Sequence, residues 1–179
     1  VGAADLHTVD DNWGPQDNIG HGTELAGVAL YGDLFASLVS TAPVVMRHRL
    51  ESVKLLPAAQ WDKKEPYGAL TMSAIALPEF AQPDVQRVFS MAVTSLDDRD
   101  RGRPSAWSAA VDELAYDVLG ERENQRLIIV SAGNADTNNA LHYPANTTND
   151  GINDPAQAWN ALCVGAYTAK VTIDPPNAA

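Results

Sequence analysis

The chain has 179 residues and a formal net charge of −11, from 23 acidic and 12 basic side chains. That balance repels phosphate backbones and anionic headgroups, so neither nucleic acid nor a membrane surface is expected as a partner. The length suits one domain with a substantial core, and a hydrophobic share of 45% is ordinary for a globular chain. No apolar run approaches the roughly 20 residues of a membrane span. The single cysteine, Cys163, sits in the apolar run Ala161-Leu162-Cys163-Val164-Gly165 and is expected to be a buried, inert thiol.

In chain order, residues 1 to 20 are polar and turn-rich and read as a loop. Gly20-His21-Gly22-Thr23 then opens a helix expected over residues 21 to 31, with Gly32 as its stop. Leu25, Val28 and Ala29 share a face, and the small residues Ala26, Gly27 and Ala29 would let the helix sit deep against a sheet. A short helical piece over 34 to 40 follows, then a strand within 50 to 56 closed by Pro57. Residues 58 to 65 read as a loop, 67 to 77 as a helix with Pro78 near its end, and 85 to 93 as a buried strand.

The charged segment 97 to 104 is a loop, after which Ser105 is placed to cap the most periodic helix of the chain. Trp107, Ala110, Val111, Leu114, Ala115 and Val118 recur at helical spacing, and Gly120 ends the run. Residues 127 to 132 are apolar on both faces, as inside a parallel sheet. A polar loop from 134 to 154 leads to a last strand at 162 to 167, and the tail from 172 carries no evident element. Alternation of strand and helix, with no internal repeat or linker, gives one α/β domain over residues 1 to 179 with a mostly parallel sheet.

Two stretches carry chemistry. His21 lies between two glycines, which let backbone and ligand approach closely. A lone histidine is often structural; this setting favours a general base, the role to which imidazole is suited near neutral pH. Asn134 follows a strand and the small residues Ser131, Ala132 and Gly133. Ligands collect beyond the carboxyl ends of such strands, where an Asn amide can donate to a developing oxyanion, or merely cap a turn.

Together these stretches resemble the subtilisin-like serine peptidases. His21-Gly22-Thr23-x-x-Ala26-Gly27 is similar to that family's histidine box, and Ser131-Ala132-Gly133-Asn134 to its oxyanion-asparagine segment. Pro144-Ala145 and Ala161-Leu162-Cys163-Val164-Gly165-Ala166 resemble the segments that follow. The resemblance implies a three-layer α/β/α fold and a serine endopeptidase using Asp, His and Ser in that chain order. It implies His21 as base and Asn134 as oxyanion donor. It also places Met91, Ala92, Val93, Thr94 and Ser95, with Ser131, Ala132 and Gly133, against a polypeptide substrate.

The chain departs from that pattern. Asp5, Asp10, Asp11 and Asp17 precede His21, but none is followed by Thr/Ser-Gly, and no Gly-Thr-Ser occurs. The expectation is a central portion of a subtilase, truncated at both ends, whose catalytic Asp and Ser lie outside the 179 residues and which has no turnover by itself. The competing reading is an inactive subtilase-like scaffold or binding domain. A nucleotide site built on Gly20, Gly22 and Gly27 fails because Leu25 stands where the fingerprint needs glycine. No cofactor is implied. Calcium, bound by many subtilases, would have Asp10, Asp11 and Asp17, or Asp136, Asp150 and Asp154, as weak candidates, solvated loops being the expectation. A sheet missing a strand would leave an exposed edge open to self-association.

Overall fold

The computed structural model describes residues 2, 5–57, 66–95, 103–134 and 151–167. Among the described residues, two parallel sheets are built from five short strands. In the first, β1 (Leu6–Thr8) pairs with β2 (Ser52–Lys54), Leu6 opposite Ser52. In the second the order is β3 (Val88–Met91), β4 (Leu127–Ser131), β5 (Leu162–Val164), with Val88 opposite Leu127 and Ile129 opposite Leu162. Four helices are interspersed: α1 (His21–Tyr31), α2 (Leu34–Val39), α3 (Tyr67–Ala81) and α4 (Ala106–Tyr116). This is the α/β class expected, with parallel strands throughout both ladders.

The core lies between the α3–α4 pair and one face of the second sheet. Ile75 from α3, Trp107, Val111 and Ala115 from α4, and Ile128 and Val130 from β4 are buried together, joined by Ala156 and Ala158. Period-2 alternation explains the strand contribution: Phe89 and Met91, then Ile128 and Val130, point into the core. The two helices approach closely because Gly68 has no side chain; a Cβ there would lie 2.9 Å from the Ala110 Cβ. Beside that contact Tyr67 stacks on Trp107 with ring centroids 4.8 Å apart. Thr71 donates to the Tyr67 carbonyl (2.8 Å) and accepts from the Trp107 indole (2.8 Å), so no polar atom of this group is stranded in the core.

Helix α4 starts where Ser105 was expected to cap it. The Ser105 side chain accepts from the Ser108 N–H while the Ser108 hydroxyl accepts from the Ser105 N–H, a capping box with serine in the place usual for Glu or Gln. The helix ends earlier than its periodicity suggests. Asp117 turns left-handed (φ 55°), and Val118 is exposed rather than part of the apolar face. Arg126, at the entrance to β4, binds this end. Its guanidinium donates to both oxygens of Glu79 on α3 (2.6 and 3.0 Å), to Asp117 (2.9 Å) and to the Leu114 carbonyl (3.0 Å). A second clasp joins the strand starts: Arg87, just before β3, makes a two-pronged pair with Glu51, just before β2 (2.6 and 3.0 Å).

Several expectations are corrected. Residues 6–8, read as loop, form β1, because their partner β2 lies far away in sequence and supplies the hydrogen bonds that local pattern cannot reveal. A 3-10 turn, Asp11–Trp13, follows. Helix α3 runs past residue 77 to Ala81 with Pro78 inside it. The strands expected over 50–56, 85–93, 127–132 and 162–167 are shorter than read. Residues 127–132 are apolar on both faces, as expected inside a parallel sheet, yet Leu127 is 49% exposed and, across the same face, Val88, Leu162 and Val164 are exposed too. Cys163 is exposed, since β5 is an edge strand with no described element over it. Most sharply, α1 does not sit deep against a sheet: its boundaries are as expected, but none of its residues is buried, and Leu25 and Val28 are exposed. The loop expected at 58–65, most of those expected at 97–104 and 134–154, the Pro144-Ala145 motif, Asp136 and Asp150, and the tail lie outside the described residues.

Candidate active site

His21 is the first residue of α1. Gly20 before it adopts a left-handed conformation (φ 96°), which a glycine reaches without penalty, and this turns the chain sharply into the helix. The turn is held by Asp17, named above only as a weak calcium candidate and an upstream aspartate. One Asp17 oxygen accepts from the N–H groups of Ile19 (3.0 Å) and Gly20 (2.9 Å). The other accepts from the Thr23 N–H and hydroxyl (2.7 Å each). Four hydrogen bonds to the charged form, first among them those from the Ile19 and Gly20 backbone, hold the Asp17 carboxyl well below the usual carboxylate range. The spacing Asp-x-x-Gly-x-Gly-Thr, a short acidic side chain ahead of a glycine-flanked helix start, is the signal that could have found it. Lys54, the last residue of β2, donates to the carbonyls of Gln16 (2.9 Å) and Trp13 (3.4 Å) and so fixes the loop that delivers Asp17. A shallow hollow of about 120 Å³ opens beside this turn, lined by Pro15, Gln16, Asp17, Ile19, Gly22 and Lys54 among others.

Asn134 lies just past β4, exposed, after Gly133 with its positive φ of 94°. The segments expected to flank a substrate do come together. Met91 and Ser131 end adjacent parallel strands, and Ser131 is paired with Val164 of β5. Beyond the strand ends a third segment, residues 153–154, links them. The Asn153 N–H donates to the Ala132 carbonyl (2.9 Å) and the Ser95 N–H to the Asp154 carbonyl (2.9 Å). Asn153 also packs where a Gly133 side chain would be, leaving no room for a Cβ. No sequence motif marks Asn153; its role arises from the tertiary approach alone. Within residues 91–95, Met91 and Val93 pack against the core, so their side chains are committed inward. Ala92, Thr94, Ser95 and residues 131–133 are half-buried.

Met91 and Ser131 are the last residues of β3 and β4, residues 92–95 and 132–134 follow them, and Lys54, the last residue of β2, ties down the loop ahead of His21, so each segment lies at a carboxyl-terminal strand end. This is where ligands collect in open α/β sheets. His21 and Asn134 make no hydrogen bond to each other, and neither side chain has a partner among the described residues. Nor does any of Asp5, Asp10, Asp11 and Asp17 hydrogen-bond to His21. Asp5 binds Arg49 (2.8 Å) and the Gly2 N–H, Asp10 caps Asn12, and Asp17 is occupied as above. The same bonds bear on the calcium candidates: Asp17 has both oxygens engaged, and Asp154 accepts from Ser105. Among the described residues no three His, Cys, Asp or Glu side chains are grouped to hold a metal ion.

No helix is long and apolar enough to cross a membrane among the described residues. No curated protein and no solved structure matches the chain. The family model described as the subtilase family (peptidase S8) matches residues 3–176, nearly the full length. With parallel α/β architecture, a glycine-flanked histidine at a helix start and an asparagine beyond a central strand, the chain belongs to the subtilase family of serine peptidases.

Proposed function

We propose that residues 1–179 form part of one subtilase domain that hydrolyses peptide bonds, with His21 as general base and Asn134 as oxyanion donor. Substrate would lie along residues 91–95 and 131–133. The observation that carries this reading is the setting of His21: exposed, without a side-chain partner among the described residues, and set at a helix start held by the bonds of Asp17 to the Gly20 and Thr23 N–H groups. In the reaction, imidazole takes the proton of a serine hydroxyl as its oxygen attacks the scissile carbonyl carbon. The carbonyl oxygen, now anionic, accepts from the Asn134 amide, and imidazole returns the proton to the leaving amine as the C–N bond breaks. Since Met91 and Val93 face inward, the substrate contacts of that segment would be made by its backbone and by Ala92, Thr94 and Ser95.

No serine of the sequence stands in a Gly-Thr-Ser setting, so the 179 residues alone are expected to show no turnover. The test is a fluorophosphonate that labels activated serines: no serine in this chain should react, and a labelled one would refute the claim. In a form of the protein that cleaves peptides, His21→Ala should cost about a million-fold in kcat and Asn134→Ala about 100- to 1000-fold. Both magnitudes come from subtilisin, itself a member of this family, and are carried over rather than worked from this structure. Normal kcat in His21→Ala would remove His21 from the mechanism. The net charge of −11 supports the absence of nucleic-acid and anionic-membrane partners. The exposed edge strand β5 supports self-association, which size-exclusion chromatography over a range of concentrations would reveal.

A further inference from the structure

Helices are ordinarily located by the apolar face they bury, but α1 buries none of its eleven residues. Only Ala26, Gly27 and Leu30 are half-buried, so among the described residues its position depends largely on other ties. At its far end His48 Nε2 meets the Ala29 carbonyl at 2.8 Å. At the end that carries His21, the ties are Asp17, through its four bonds to Ile19, Gly20 and Thr23, and behind it Lys54, through the carbonyls of Trp13 and Gln16. Lys54 is itself fixed in the first sheet, paired with Thr8 and accepting from the Val9 N–H at its own carbonyl (3.2 Å). A continuous polar path therefore runs from β2 through Lys54, the 13–16 loop and Asp17 to the turn at His21.

We propose that Asp17 and Lys54 are positioning residues for His21, an inference that rests on the reading of His21 as base. They supply by charge-assisted hydrogen bonds the fixity that packing does not, and a displacement of about 1 Å in a reacting group can cost about 100-fold in rate. Asp17 and Lys54 both line the hollow beside the turn.

The test uses the isotopically labelled 179-residue chain, following the His21 Cε1–Hε1 cross-peak, identified by its absence in His21→Gln. In Asp17→Ala and Lys54→Met this cross-peak should move by more than its linewidth. The Gly20 and Thr23 amides should exchange about tenfold faster in Asp17→Ala, as expected for loss of a charge-assisted bond. The Trp107 indole N–H, in the core, should not move, and Lys54→Arg, which keeps a cationic donor, should return the His21 signal toward its original place. Unchanged His21 and amide signals in both variants would overturn the proposal. If Asp17→Ala also moves Trp107, Asp17→Asn decides: it keeps one acceptor and must give an intermediate displacement, so a wild-type His21 signal there overturns the proposal. None of these readouts depends on peptide cleavage, so failure of the peptidase reading would show separately, as normal turnover in His21→Ala.

Discussion

Arg126→Met removes four hydrogen bonds while keeping most of the side chain's aliphatic volume. Arg126 joins Glu79 on α3, the Asp117 turn that ends α4, and the entrance to β4. The two carboxylates would fare differently without it. The Glu79 side chain is 30% exposed and can turn to water, whereas that of Asp117 is 6% exposed and would keep the backbone N–H groups of Asn124 (2.8 Å) and Glu123 but lose its cationic partner. Stranding a buried charge typically costs about 3–5 kcal/mol. The solvation open to Glu79 places this case at the lower end, about 3 kcal/mol. At about 2–4 °C per kcal/mol for a chain of this size, the Tm should fall by roughly 6–12 °C. Urea unfolding of wild type, Arg126→Met and the double variant Arg126→Met/Asp117→Asn would measure it, the double variant regaining stability because it no longer holds the stranded charge. A loss below about 1 kcal/mol, the value of a surface ion pair, would refute the reasoning.

Two further outcomes follow from the structure. Gly133→Ala places a side chain at φ 94° and into Asn153, and should cost about 1–3 kcal/mol, with faster amide exchange at Asn153 as its bond to the Ala132 carbonyl weakens; unchanged exchange would count against the close approach. Asp117 and Asp5 are held below their ordinary value of 3.8, Asp117 chiefly by the Asn124 N–H and then Arg126, Asp5 chiefly by the Gly2 N–H. Depressed folded-state values mean stability that is present above pH 3.8 and lost as pH falls through it toward the folded values. Unfolding midpoints measured from pH 7 to pH 2 should therefore drop at the acid end, less steeply in Asp117→Asn; superimposable acid limbs would contradict this.

What the sequence disclosed was local. Gly20 and Gly32 bracket α1 and Ser105 caps α4, because glycine conformations and capping bonds are made within a few residues. The apolar spacing from Trp107 to Ala115 names the face of α4 that is in fact buried. What escaped was set by distant partners. Leu6-His7-Thr8 is too short to show a period, and only pairing with residues 52–54 makes it a strand. The small residues of α1 say what such a helix could pack against, not what lies there. An apolar run around Cys163 cannot say whether its strand is central or at an edge. At the site, the histidine and asparagine segments were readable as motifs, while Asp17, Lys54 and Asn153 act through hydrogen bonds that no spacing of apolar residues reveals.

The parallel ladders also dictate an order of events during folding. The chain must pass through α1 and α2 before β2 can meet β1, and through α4 before β4 can meet β3. Helices and the α3–α4 contact can form while those strands still wait for partners, so sheet closure comes late, on the millisecond-to-second scale of non-local pairings. During that interval the open strand edges are available to other copies of the chain. Refolding yield should therefore fall as protein concentration rises, even under conditions where the finished fold is stable.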